Sequence, residues 1–142
     1  MTDLITSLSK LDAPDREVDA LIAAELEPHI FDAPGFNPVR PVPSFRIGSE
    51  GNTIRFEDGG IMCLSYFPRY TASVDAAIAL AERVLPGWVF DNVGQDFHSV
   101  PGGYEAFGWN VELINGTRVQ GQAPTLPLAI CIALLRAKEA SK

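Results

Sequence analysis

The stretch Thr125-Leu126-Pro127-Leu128-Ala129-Ile130-Cys131-Ile132-Ala133-Leu134-Leu135-Arg136-Ala137-Lys138-Glu139-Ala140 decides the fold class. Every position over 126–135 is apolar or Pro, so the pattern leaves almost no polar face before Arg136. A helix apolar all round is buried on more than one side. Thr125 stands where a helix N-cap is wanted, and Pro127 fits the first turn, where a backbone N–H has no intrahelical partner to lose. Arg136, Lys138 and Lys142 complement the negative end of the helix dipole and mark where it emerges. The apolar run, broken by Pro127, is too short to span a bilayer. A sheet within the protein must bury it.

Working back from this helix, residues 104–114 supply such a sheet. Phe107, Trp109, Val111 and Leu113 alternate with Ala106, Gly108, Asn110 and Glu112, which puts one face of a strand on the core and the other towards water. Asn115-Gly116 is a turn signal and 117–120 a short edge strand. Upstream, 88–93 reads as a strand and 94–103 as a Gly-containing loop. Residues 74–85 carry a narrow stripe of Val74, Ala77, Ile78, Ala81 and Leu85, capped by Thr71 or Ser73 and ended by Pro86-Gly87.

Further upstream, strands are expected over 44–47, 53–56 and 61–67, parted by the turn clusters 48–52 and 57–60. An amphipathic helix starts near Asp12-Ala13-Pro14, buries Val18, Leu21, Ile22 and Leu26, and stops at Pro28; 1–11 has weak helical signal. The five prolines over 28–43 remove backbone donors and rule out a regular helix or a central strand there. The expectation is an α+β protein: one antiparallel sheet of about 4–6 strands packed with two core helices, plus an N-terminal amphipathic helix. Residues 1–43 form that helix and a Pro-rich connector lying on the body, and 44–142 a single folding unit.

With 142 residues, 46% apolar and 20% charged, the chain has the composition of one globular domain. The net charge of −7 repels nucleic-acid phosphate and anionic membrane, and its arginines are scattered, so a phosphate-tracking groove is disfavoured. The start Met1-Thr2-Asp3-Leu4 lacks the basic and apolar regions of a secretory signal. Cys63 and Cys131 sit in apolar runs and are expected as free, buried thiols in a reducing cytoplasm.

The residues Tyr70-Thr71-Ala72-Ser73-Val74-Asp75-Ala76-Ala77, Trp88, Trp109-Asn110-Val111-Glu112-Leu113 and the run from Ala123 through Ala137 resemble the phage "ABA sandwich" domain family. The similarity covers roughly residues 66–140, about half of the chain, and is most specific in the C-terminal helix. It implies a sheet carrying helices and a phage or prophage origin, and the expected place of action is the host cytoplasm. It implies no activity, because the matching residues are capping and core types.

Chemical motifs are sparse. His29, Cys63, His98 and Cys131 lack the paired spacing of a zinc site, so no metal is expected. Cys63 or Cys131 with His98 would make a nucleophile pair only in an electropositive setting, and both thiols are flanked by aliphatic residues. The carboxylates of Glu57, Asp58, Asp91, Asp96 and Glu105 read as solvated turn or strand-edge groups. Neither a Gly-x-Ser-x-Gly elbow nor a nucleotide-binding glycine motif is present.

The candidate ligand site is Arg69, Tyr70, His98 and Tyr104, around a helix start and the 94–103 loop. The plainer expectation is that Tyr70 and Phe97 close the ends of the core. The functional expectation is a non-enzymatic phage or prophage accessory protein, without cofactor. It acts by binding a protein or by self-association as a homodimer, for example to inhibit host defence. The alternatives are sequestration of a small anionic ligand such as a nucleotide signal, and a minor virion or assembly role.

Overall fold

The computed structural model describes residues 2–32 and 42–141. In chain order its elements are helices α1 (Thr2–Ser9) and α2 (Arg16–Leu26), a 3-10 turn at Pro28–Asp32, strands β1 (Phe45–Ile47), β2 (Thr53–Phe56) and β3 (Ile61–Cys63), a 3-10 turn at Leu64–Tyr66, helix α3 (Val74–Val84), strands β4 (Val89–Val100), β5 (Gly103–Asn115) and β6 (Thr117–Ala123), and helix α4 (Leu126–Ala140). The class is α+β. The strands do not join one sheet, however: they form two antiparallel three-stranded sheets, β1-β2-β3 and β4-β5-β6. Part of the Pro-rich connector expected over 28–43 lies outside the described residues.

The chain divides into two compact units, one comprising Arg16–Arg69 and the other the chain on either side of it. These boundaries differ from the expected division at 43/44. The middle unit is built from α2, the first 3-10 turn and the short sheet. Phe31 from that turn is fully buried and packs its ring 5.9 Å from Phe45, 6.2 Å from Phe56 and 5.2 Å from Phe67. Such offset and edge-on aromatic contacts hold more than their buried area alone. The Arg16 guanidinium ties α2 to the chain after β3: Nη2 donates to the carbonyls of Leu64 (2.6 Å) and Phe67 (3.0 Å), while Nη1 pairs with buried Asp19 at 2.8 Å. β3 is shorter than expected. Only Met62 of its three residues points inward, and Cys63 is exposed rather than buried.

The flanking unit is organised by α4. All eight side chains over 128–135 are buried, against β5, β6, α3 and α1. Thr125 does occupy the N-cap position, but its hydroxyl makes no capping bond and has no hydrogen-bond partner among the described residues. Pro127 is one cause: an N-cap oxygen normally accepts from the second or third helical N–H, and the second is missing here. Ser73 caps α3, accepting from the Ala76 N–H at 3.2 Å. Thr71 instead locks to the Asp15 backbone, accepting its N–H at 3.0 Å and donating to its carbonyl at 3.2 Å. Lys138 Nζ donates to the Val84 carbonyl at the end of α3 (3.2 Å), which satisfies one orphan acceptor there.

The largest departure from expectation is β4. The segment expected as a loop over 94–103 is strand up to Val100, paired with β5 through Val100↔Gly103. Pro101 and Gly102 alone make the turn, with Gly102 at φ 92°, a conformation that suits glycine at the third position of a tight turn.

Candidate functional site

The β4–β5 hairpin outgrows its sheet. β6 pairs with β5 from Asn115↔Thr117 up to Trp109↔Ala123 and then ends. Beyond that point, among the described residues, β4 and β5 pair only with each other, from Asp96↔Gly108 to Val100↔Gly103. Residues 96–108 therefore form a two-stranded arm.

A bulge sets which side chains the arm presents. Gly121 of β6 faces α4 and is the register partner of Val111, so Val111, Leu113, Val93 and Gln95 lie on the α4 side of the sheet. Between Asp96↔Gly108 and Phe97↔Ala106 the register shifts, and Phe107 has no opposite residue. One extra residue reverses the alternation on that strand. Tyr104 and Ala106, rather than Phe107, therefore continue the α4 side of the sheet beyond the reach of the helix. Phe107 turns to the opposite face, where its ring lies 5.5 Å from His98. The alternation expected through Phe107 holds at Val111 and Leu113, both buried, and fails at Phe107, which is 61% exposed.

On the α4-side face Phe97 and Tyr104 meet edge to face, ring centroids 5.3 Å apart, and with Gln95 and Ala106 they line a shallow depression. Phe97 is 62% and Tyr104 74% exposed. On the other face His98 Nε2 stands 3.6 Å from a Glu105 carboxylate oxygen, across the strand pair. On that same face, at the end of the sheet away from the arm, Arg118 Nη1 bonds to Asp91 of β4 and, at 2.8 Å, to Glu112 of β5. The Asp91 carboxylate beside it raises the Arg118 guanidinium above its ordinary pKa.

The four residues singled out from the sequence do not share one role. His98 and Tyr104 are neighbours on the arm, on opposite faces and on a strand rather than a loop. Tyr70 is fully buried, so its ring is a core element; its carbonyl accepts from the Cys131 thiol at 3.4 Å. Arg69 belongs to the middle unit, where it lines a groove with Arg16, Asn52, Cys63, Leu64 and Ser65. Phe97, expected at the end of the core, is solvent-facing. Missed altogether were Phe107 and the arm itself. The available signal was Pro101-Gly102 at the centre of two segments of matched length.

Among the described residues no group of three His, Cys, Asp or Glu side chains comes together to hold a metal ion. None of the described helices is long and apolar enough to cross a membrane. The fold and this surface define an α+β protein bearing an aromatic β-arm. No family model, no curated protein and no solved structure is significantly similar to the chain.

Proposed function

We propose that this protein acts by binding another protein through the β4–β5 arm, and that it is not an enzyme. The observation that carries this is the exposure of Phe97, Tyr104 and Phe107 on a two-stranded arm that extends beyond β6. Exposed apolar patches of this kind mark interaction surfaces, and aromatic side chains supply a large contact area at small conformational cost. A phage or prophage accessory role in the host cytoplasm, including inhibition of host defence, enters this proposal from the family resemblance alone. The test is a photoreactive residue placed at Tyr104 or, as a control, at Tyr66 in the other unit. A discrete protein crosslink at Tyr104, abolished by Phe97→Ser/Phe107→Ser, is the expected outcome; equal capture from both positions would refute the proposal.

A second proposal is a small anionic ligand held at Arg69. Its support is that the Arg69 guanidinium makes no hydrogen bond or ion pair among the described residues, while Arg16, Asn52 and Ser65 line the same groove. Asp19 already offsets the Arg16 charge. A ligand that binds only the folded state raises its melting temperature. A thermal-shift screen of nucleotides and phosphates at about 1 mM should show a rise that Arg69→Gln removes; no rise with any of them rejects the ligand.

A further inference from the structure

The sheet order β4-β5-β6 leaves β4 at a margin, with its outer edge unpaired among the described residues. Edge strands are ordinarily protected from a further strand by Lys, Pro or an inward charge. β4 has no Lys, Arg or Pro, and its Val89, Val93 and Phe97 are exposed. It carries two carboxylates, Asp91 and Asp96. Asp91 is bound by Arg118, which leaves Asp96 to discriminate between pairing registers.

We propose that the arm's partner is a second copy of this chain, joined by antiparallel pairing of the two β4 edges about a two-fold axis at Phe97. This rests on the protein-binding function proposed above and names the partner. The register follows from charge. Centring the axis on Asp96 sets two carboxylates opposite each other, and like charges directly opposite are destabilising. Centring it on Phe97 sets Asp96 against His98 of the second copy, twice by symmetry, with Gln95 opposite Ser99 and the two Phe97 rings adjacent at the axis. β4 is thus self-complementary in this register, as an isologous interface requires.

The position of the axis also suits the fold. Phe97 lies beyond the end of β6, so antiparallel pairing there places the β6 and α4 layers of the two copies at opposite ends of the joined sheet. Only residues 94–100 of each copy overlap. So small a contact belongs with weak interfaces, and a Kd on the order of 10 µM is expected. Backbone hydrogen bonds along the edge supply affinity, and the alternating side chains supply register.

Sedimentation equilibrium of the full chain, from about 1 to about 200 µM, tests this. The expected result is a monomer–dimer equilibrium. His98→Asp, at an exposed site, should weaken it about tenfold by facing carboxylate with carboxylate. The double exchange Asp96→His/His98→Asp sets imidazole against carboxylate again and should restore it. A dimer unaffected by either change overturns the Phe97-centred register. A native chain that stays monomeric throughout overturns self-pairing. In that case a photoreactive residue at Phe97 that captures one different protein leaves the protein-binding function standing, whereas one that captures nothing removes both.

Discussion

Gly121 of β6 lies against the backbone of Ala133 in α4: a Cβ at Gly121 would stand 2.5 Å from the Ala133 nitrogen. Sheet and helix therefore meet backbone to backbone at this point, which any side chain would prevent. Gly121→Ala must push α4 off the sheet or bend β6. Overpacking of this kind costs about 3 kcal/mol, a fall in melting temperature of about 10 °C. A change within about 0.5 kcal/mol, the range of surface substitutions, would show that the helix slides freely and that the contact does not fix it.

The Glu50 carboxylate is expected to titrate far below other carboxylates. It accepts from the Thr53 hydroxyl at 2.5 Å, from its own backbone N–H and from Arg55, and these in that order hold its pKa at about 2 against an ordinary 4.5. A carboxyl with a lowered folded pKa adds stability above its unfolded value, and that contribution is lost as pH falls through about 2. NMR titration of the Glu50 side-chain carbonyl should place its midpoint at about 2, well below the ordinary 4.5. Thr53→Val removes the largest cause and should move the midpoint up; a midpoint near 4.5 in the native protein would contradict the geometry.

Arg16 is the tie between α2 and the segment that follows β3. Arg16→Met removes its bonds to the Leu64 and Phe67 carbonyls and breaks the ion pair with an Asp19 side chain that has no solvent exposure. Breaking a part-buried pair of this kind costs about 2–4 kcal/mol. Urea unfolding measures it. Arg16→Lys keeps the charge but not the fork that reaches separate carbonyls, and should recover less than half of the loss.

Thiol labelling separates the two cysteines. Cys63 is exposed and Cys131 fully buried in α4. A thiol reagent should modify Cys63 at once in the native protein and Cys131 only after denaturant is added. Simultaneous reaction of both would mean that α4 opens under native conditions.

Which features were legible in the sequence follows from what fixes each one. α4 could be read because ten consecutive non-polar positions admit one explanation, and α3 because Ser73 has a local capping target. β2 lay where expected because turn glycines bracket it. β4 beyond Val93 could not be read. Gly94, Gln95 and Ser99 have little strand preference of their own, and they are strand because β5 lies beside them. The same dependence on distant partners split the expected single sheet in two. A bulge is a one-residue event with no compositional mark, so the alternation ending at Phe107 pointed inward in the sequence and outward in the fold. At the candidate site, His98 and Tyr104 were read as loop residues and lie on paired strands, Tyr70 is drawn into the core, and Phe97, expected to close the core, is exposed.

The arm makes a last prediction, because stability and binding should come apart there. Phe97 and Phe107 are more than half exposed, so Phe97→Ser and Phe107→Ser should each change unfolding free energy by no more than about 0.5 kcal/mol. Leu113, on the same β5 strand and 1% exposed, should behave as core: Leu113→Ala is expected to cost about 3 kcal/mol. Placed side by side in one urea series, the three variants distinguish an aromatic arm kept for contact from one kept for folding. If the Phe97 and Phe107 variants lost as much as Leu113→Ala, the arm would be packed in solution against something of its own chain. It would then be unavailable to a partner.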